Sequence, residues 1–175
     1  MNDPEALSPS SFATTANAYV TQEDVGDLVT VAGEGPARLS LHTSPRDDLH
    51  AMVILQPHGN YAPPRLHHRK SKVFHIIAGE LLVLTFTPDG ELATTQVLAQ
   101  GETITKIVTH GVIHTNVALT QQAIYLEVMS GPFDRDDGER EFARFAPEQD
   151  PRNSGLTWLA ERVDAWDSGL ARRMQ

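Results

Sequence analysis

VFHIIAGELLVLTFTPDGELATTQVL, residues 73–98, decides the fold. VFHII (73–77) runs into Ala78 and Gly79. LLVLTF (81–86) stops at Thr87-Pro88-Asp89-Gly90, and LATTQVL (92–98) follows. Asp-Gly between two apolar runs marks a hairpin, because glycine readily supplies the positive φ that a tight turn needs. Both flanking runs are rich in Val, Ile, Leu and Thr and are too short for helices, so they read as strands.

The same texture extends in both directions. RLSLH (38–42) and AMVIL (51–55) precede this stretch, the second followed by the turn residues Pro57, Gly59 and Asn60. TITKIV (103–108), HTNVAL (114–119) and AIYLEVM (123–129) follow it. Short strands about eight to twelve residues apart, with no long helical run between them, imply an all-β sandwich or barrel. This barrel is expected over residues 25–149. Residues 1–24 are rich in Ser, Thr, Ala and Asn without a sustained period, and read as a loosely ordered N-terminal arm with room for one short turn or strand.

Residues 150–175 differ. Leu156, Leu159, Val163, Trp166 and Leu170 recur at steps of 3, 4, 3 and 4, one stripe of an amphipathic α-helix. Ser154 or Asn153 is the expected N-cap. The stripe is expected to pack on the barrel or on a second copy of the chain. Glu161, Asp164 and Asp167 on the other face fit poorly with an anionic lipid surface.

The chain has 175 residues, 14 basic and 23 acidic, for a formal charge of −9. That balance argues against nucleic acid and anionic membrane as partners, since both call for a positive footprint. There is no cysteine, which removes disulfides, thiolate metal sites and cysteine nucleophiles. The first twenty residues lack a basic region followed by an apolar run, and nothing approaches the ~20 apolar residues of a membrane span. A cytoplasmic location is the default expectation.

PPRLHHRKSKVFHIIAGE (63–80) contains three of the eight histidines. Histidines beside a strand suggest metal ligands, yet the carboxylate that such a site usually needs is not where it should be. His75 lies three residues beyond Lys72 and so on the opposite face of a regular strand, where a structural role is expected.

At this point the sequence resembles the WbuC-like family of cupin-fold proteins, over roughly residues 38–148. Three places carry the resemblance: RLSLHTSPRDDLHAMVILQPHGNY (38–61); the histidine stretch with GELLVLTFTPDGEL (79–92); and YLEVMSGPFDRDDGEREFARFAPE (125–148). The last has the family's Gly-Pro-Phe and its Phe-Ala-x-x-Ala-Pro-Glu run. The resemblance implies an antiparallel double-stranded β-helix, the jelly-roll or cupin barrel, with a C-terminal α-helix. It also implies a homodimer and an interior metal held by His-x-His, a Glu and a later His.

Gly79 matches the glycine that follows the family's Glu by six or seven residues, which puts Lys72 in the Glu place. The His-x-His becomes Arg65-Leu66-His67. The second motif keeps Gly111 and His114, with Thr109 where proline is usual. Of four implied ligands, His67 and His114 remain. A register shifted by one would turn His68 inward instead.

Arginine has no lone pair to give, and lysine is normally charged. At an effective dielectric of about 20, two unit charges about 4 Å apart interact by ~4 kcal/mol. Exchanging a carboxylate for an ammonium beside a divalent ion therefore costs on the order of 10 kcal/mol. A metal held by His67 and His114 is expected to be weak or missing. Two cations in a pocket framed by imidazoles favour an anion instead. The expected ligand is a small anionic sugar or carboxylate, bound by Arg65, His67, Lys72, His114 and Asn116, the last sharing strand parity with His114.

Alternatives stay open. Arg65 and Lys72 could face solvent or pair with Glu80 or Glu127. A metal site could be rebuilt from His67 or His68 with His110 and His114. That would suit a divalent-metal-dependent isomerase, epimerase or oxygenase acting on carbohydrate. His114, His67 or a buried Lys72 could then serve as acid or base. His42, His50 and His58 read as surface or loop residues. Tyr61, Phe74 and Phe86 read first as ordinary core and second as pocket wall. Phe133, Phe142 and Phe145 are expected to anchor the segment after the last strand, and Asp134, Asp136 and Asp137 to form a solvated charge run.

Overall fold

The computed structural model describes residues 10–15, 17–133, 138–148 and 154–174. The acidic run at 134, 136 and 137 and the N-cap candidate at 153 lie outside them. Among the described residues, eleven strands make two sheets: β1 (Ser10–Phe12), β2 (Ala37–Ser40), β3 (Leu49–Pro57), β4 (Arg65–His67), β5 (Lys72–Ala78), β6 (Glu80–Phe86), β7 (Leu92–Ala99), β8 (Thr105–Val108), β9 (Ile113–Ala118), β10 (Gln122–Ser130) and β11 (Arg140–Phe142). One sheet has the order β1-β2-β3-β10-β5-β8, and the other β11-β4-β9-β6-β7. Apart from the parallel pair β1 and β2, every pairing is antiparallel. The two sheets face each other, and the chain passes between them repeatedly, as in a jelly roll.

Gly79 makes one of these passages, from β5 to β6. Its φ is +72°, and a Cβ there would stand 2.2 Å from the Gln122 carbonyl oxygen. No other residue fits both the backbone angle and the space. The Thr87–Gly90 turn closes the β6–β7 hairpin through a 3.0 Å bond from the Gly90 N–H to the Thr87 carbonyl.

The alternation of side chains along each strand divides the apolar residues into three groups. Phe74, Ile76, Leu81, Val83, Leu98, Ala118 and Tyr125 fill the space between the sheets. Leu82, Leu84, Phe86, Ile113 and Val117 point out from the second sheet. They meet α2 (Ser154–Asp164) and α3 (Ser168–Arg173) through Leu159, Val163 and Met174. The expected stripe thus packs on the barrel, but in two helices. The chain breaks near Trp166, which is left exposed, and Asp167 caps the second helix by accepting from the Gly169 and Leu170 N–H groups. Ser154 is the first residue of α2 rather than a residue before it.

The third group lies on the outer face of the first sheet, where Leu28 of α1 (Gln22–Ala32) meets Ala37, Val53, Leu55 and Ile124. Thr21 caps this helix reciprocally: its side chain accepts from the Asp24 N–H, and Asp24 accepts from the Thr21 N–H at 2.7 Å. The expectation of a loosely ordered arm over residues 1–24 and a barrel from residue 25 misses this helix, which spans that boundary. Thr-x-x-Asp followed by Val25, Leu28, Val29 and Ala32 is its sequence signature. Among the described residues, no helix is long and apolar enough to cross a membrane.

His42 lies in the loop between β2 and β3, whereas His50 belongs to β3. They are not surface residues: both are buried, stacked with centroids 4.1 Å apart and 3° from parallel. His42 Nδ1 lies 3.2 Å from the Ala51 carbonyl, and His50 Nε2 lies 3.1 Å from the Pro45 carbonyl. Burial lowers the pKa of each. His58 is only half-buried and meets the Arg173 carbonyl.

Candidate functional site in the barrel interior

Strand parity places the polar interior. On β5, Lys72 shares the inward face with Phe74 and Ile76, while His75 points out and meets Thr105 Oγ1 at 2.7 Å. On β4, Arg65 and His67 flank the outward Leu66. On β9, His114 and Asn116 face in, and Ile113 and Val117 face out. Arg65 and His114 are direct partners across β4 and β9. The rings of His67 and His114 are 6.2 Å apart, and Phe74 sets its edge against His114. Four of the five sequence candidates (His67, Lys72, His114 and Asn116) are buried, and Arg65 is partly buried.

His68 points out, with Nε2 3.3 Å from Glu141 Oε2. His110 is exposed in the turn before β9. A metal site rebuilt from either is therefore not formed. Tyr61 and Phe86 lie outside the barrel under α2 and its neighbours, so only Phe74 of the three aromatic candidates reaches the interior. Phe145 packs against Phe86 and Trp158, whereas Phe133 and Phe142 are 38% and 48% exposed, Phe142 with the Arg140 guanidinium 5.0 Å from its ring centroid.

Three further residues complete the interior. Glu127 on β10 is 5% exposed and takes a hydrogen bond from Lys72 Nζ at 3.1 Å. Glu80, the other acid considered for this pairing, instead meets Arg173 on the surface. Gln56 and Tyr125 join Asn116 in a buried network. The Asn116 amide donates to Gln56 Oε1 at 2.8 Å and to the Tyr125 hydroxyl at 2.9 Å. Tyr125 donates to Gln56 Oε1 at 3.2 Å. The two amide hydrogens of Asn116 are thus committed to the protein. Arg38 of β2 also acts electrostatically on Lys72, Glu127 and Tyr125. Its strand was legible, but the faces were not: Leu39 lies on the outer face near α1, and so the polar alternate, Arg38, is the inward residue.

Each ionisable group responds to this setting. Burial, with Lys72 and Arg65 nearby, pushes His67 down to about 3. Burial, with Arg65 and Lys72, does the same to His114. Both rings are therefore neutral at physiological pH. Burial also lowers Lys72 to about 8, against the opposing pull of Glu127. For Glu127, burial acts upward, but Lys72, Arg65 and Arg38 together outweigh it and hold the carboxyl near 2. Arg65 is lowered by burial yet remains a cation.

The His114 Nδ1–H donates to the Val112 carbonyl at 3.0 Å, which leaves Nε2 as a lone-pair acceptor. That atom and both ring nitrogens of His67 are buried without a hydrogen-bond partner. The Arg65 guanidinium hydrogen-bonds the Pro63 carbonyl at 3.4 Å; no carboxylate among the described residues comes within salt-bridge distance of it, although Glu127 attracts it electrostatically. Orphaned buried polar atoms are uncommon in folded proteins and call for a partner, a water or an ion included.

A divalent ion does not suit this set. Among the described residues no three His, Asp or Glu side chains group as metal ligands. Glu127 is held by Lys72, and three cations surround it. The hollows on the outer surface lie elsewhere. One of about 360 Å³ is lined by Leu66, Ile113, Phe142 and Phe145, and one of about 350 Å³ by Val25, Leu41, His75 and Ile77. Neither includes any of the interior polar residues, so the chemistry rather than the surface relief locates the site.

Comparison with known proteins accords with this architecture. A conserved protein with a double-stranded beta-helix domain from Klebsiella pneumoniae subsp. pneumoniae MGH 78578 aligns with a TM-score of 0.53 and 14% identity, over 74% of this chain and 99% of that one. The fold is that of the cupins. The capsular polysaccharide assembling protein CapF from Staphylococcus aureus aligns with a TM-score of 0.52 and 13% identity, over 59% of this chain. The alignment takes in 28% of the CapF chain, and 30% in the CapF structure with the inhibitor 3-isopropenyl-tropolone. At these identities the cupin likeness establishes the fold and no more. A family profile described as a domain of unknown function, DUF6016, matches residues 21–98. No curated protein matches the sequence.

Proposed function

We propose that the barrel interior binds a small anion that also carries hydroxyl groups, a sugar acid or hydroxycarboxylate. One observation carries the reading. A guanidinium with no carboxylate in salt-bridge contact stands across β4 and β9 from an imidazole acceptor with no donor, between the two sheets. Arg65 would take the carboxylate through its two-pronged N–H face. His114 Nε2 and His67 would accept from hydroxyl groups. Three nearby cations against one carboxylate leave a surplus of positive charge, although the whole chain is acidic. On this reading Lys72 supplies charge, and Asn116 shapes the wall through Gln56 and Tyr125.

The same charges leave at most a weak divalent metal at His67 and His114. The sequence patterns around Gly131-Pro132-Phe133 and Phe142–Glu148 favour a place in the WbuC-like branch of cupins, and these segments border the site: Phe142 pairs with Arg65, and Arg140 with His67, across β11 and β4.

A thermal-shift panel of sugar acids, hydroxycarboxylates and uncharged sugars on untagged protein tests the proposal. Acids should raise the melting temperature, neutral sugars should not, and Arg65→Ala should abolish the response. No response to any acid, or an equal response in Arg65→Ala, overturns it. Metal analysis of the same preparation should find well under one equivalent.

A further inference from the structure

We propose that Lys72 is a nucleophile that forms a covalent imine with a 2-oxo acid whose carboxylate rests on Arg65. The inference builds on the anion-binding reading and assigns a reaction to the same interior. Its basis is the placement of one amine. Lys72 Nζ is buried, projects from β5 into the space between the sheets, and has Glu127 Oε1 at 3.1 Å. Arg65 and Arg38 both repel a charge on it. Burial near other cations favours the neutral amine, which is the nucleophilic form. The neighbouring carboxylate is a proton acceptor within hydrogen-bond reach.

The atoms balance without any co-reactant. The Lys72 ammonium passes a proton to Glu127. The freed amine nitrogen attacks the carbonyl carbon, a C–N bond forms, and the carbonyl π pair moves to oxygen. Proton transfer from nitrogen to that oxygen gives a neutral carbinolamine. Glu127 returns its proton to the hydroxyl, which leaves as water. The product is an iminium, positively charged like the original ammonium and facing the Glu127 carboxylate. Ammonium and ketone have become iminium and water, and nothing is oxidised or reduced. His67 and His114 are neutral, have open ring nitrogens, and lie near enough to Lys72 to feel its charge.

The test uses the full chain with pyruvate or glyoxylate as the carbonyl probe and cyanoborohydride to reduce the imine. Intact mass and peptide mapping are the readouts. One reduced adduct per chain is expected, on Lys72, formed at least about tenfold faster than on Lys70 or Lys106, because Lys72 has a proton-accepting carboxylate at 3.1 Å and Arg65 near it to hold the acid. Lys72→Arg should abolish it. Mapping the unmodified chain needs no variant, so the result stands even if the variant folds poorly. Labelling spread evenly over the lysines, or absent from Lys72, overturns the proposal. Lactate, which cannot form an imine, separates the two readings. If lactate stabilises the protein but pyruvate leaves no adduct, the imine is wrong and the anion site stands. If lactate has no effect and no adduct forms, both are wrong.

Discussion

Lys72 and Glu127 form a hydrogen-bonded ion pair on adjacent strands, β5 and β10, with both side chains at most 7% exposed. Each ion has lost its water, and the partner compensates only in part. Removing one member leaves the other charge alone. Lys72→Met should therefore lower stability by about 3–5 kcal/mol, and Glu127→Gln by a similar amount. The double variant Lys72→Met/Glu127→Leu should recover most of the loss. Urea melts of the four proteins would measure this. A double variant no better than either single one would mean that the pair does not act as a unit.

Acid should unfold the protein earlier than its carboxylates alone require. His67 and His114 hold folded pKa values near 3, below the ordinary 6.5. The unfolded chain therefore binds more protons than the folded one as pH falls below about 6.5. The contribution is present at neutral pH and decays on the acid side, by up to about 2 kcal/mol per histidine between pH 7 and pH 5. The buried His42 and His50 shift in the same direction. Glu127, also lowered, adds a loss that begins below pH 4.5. Urea midpoints across this range are the measurement, and a flat profile from pH 7 to 5 would contradict the buried neutral imidazoles.

Tyr125→Phe should cost about 1–3 kcal/mol, because one Asn116 hydrogen and one Gln56 acceptor site lose their buried partner. The loss should not depend on any added acid. If the substitution weakens binding of a hydroxycarboxylate as strongly as Arg65→Ala does, the network touches the ligand directly.

Gly155→Ala tests the seat of α2. A Cβ there would stand 2.1 Å from a Tyr61 ring carbon. Tyr61 is itself fixed by a 2.9 Å bond from its hydroxyl to the Pro147 carbonyl. Either the ring or the helix must move, at a cost of about 1–3 kcal/mol or more. Tyr61→Ala in the same background should relieve part of the clash, and a melting temperature unchanged by Gly155→Ala would mean that the helix is loosely held.

The barrel was legible because its signals are local. Thr87–Gly90 and the apolar runs around it specify a hairpin wherever the hairpin lies in space. What escaped depends on tertiary context. The three-residue strands β4 and β11 are too short to show alternation. The two faces of β2 cannot be told apart from sequence when a helix covers the outer one, and Arg38 went unnoticed for that reason. Arg65, His67, Lys72 and His114 could be proposed from one family pattern. Glu127 carries no mark in the sequence beyond being an acid in an apolar strand, and only the β10–β5 register brings it beside Lys72. His42 and His50, eight residues apart, gave no sign of stacking because the loop that folds them together has no period of its own.

Every side chain of β9, from Ile113 to Ala118, is buried. Most strands of a small barrel have a wet side on which mutations can drift. This one has none: His114 and Asn116 project into the space between the sheets, and Ile113 and Val117 seat the terminal helices. Six consecutive positions are answerable to two masters, chemistry on one side and scaffold on the other. A laboratory library that aims to change what the interior accepts would do better to diversify β4 and β2, whose side chains are in part less buried, and to leave this central plank untouched.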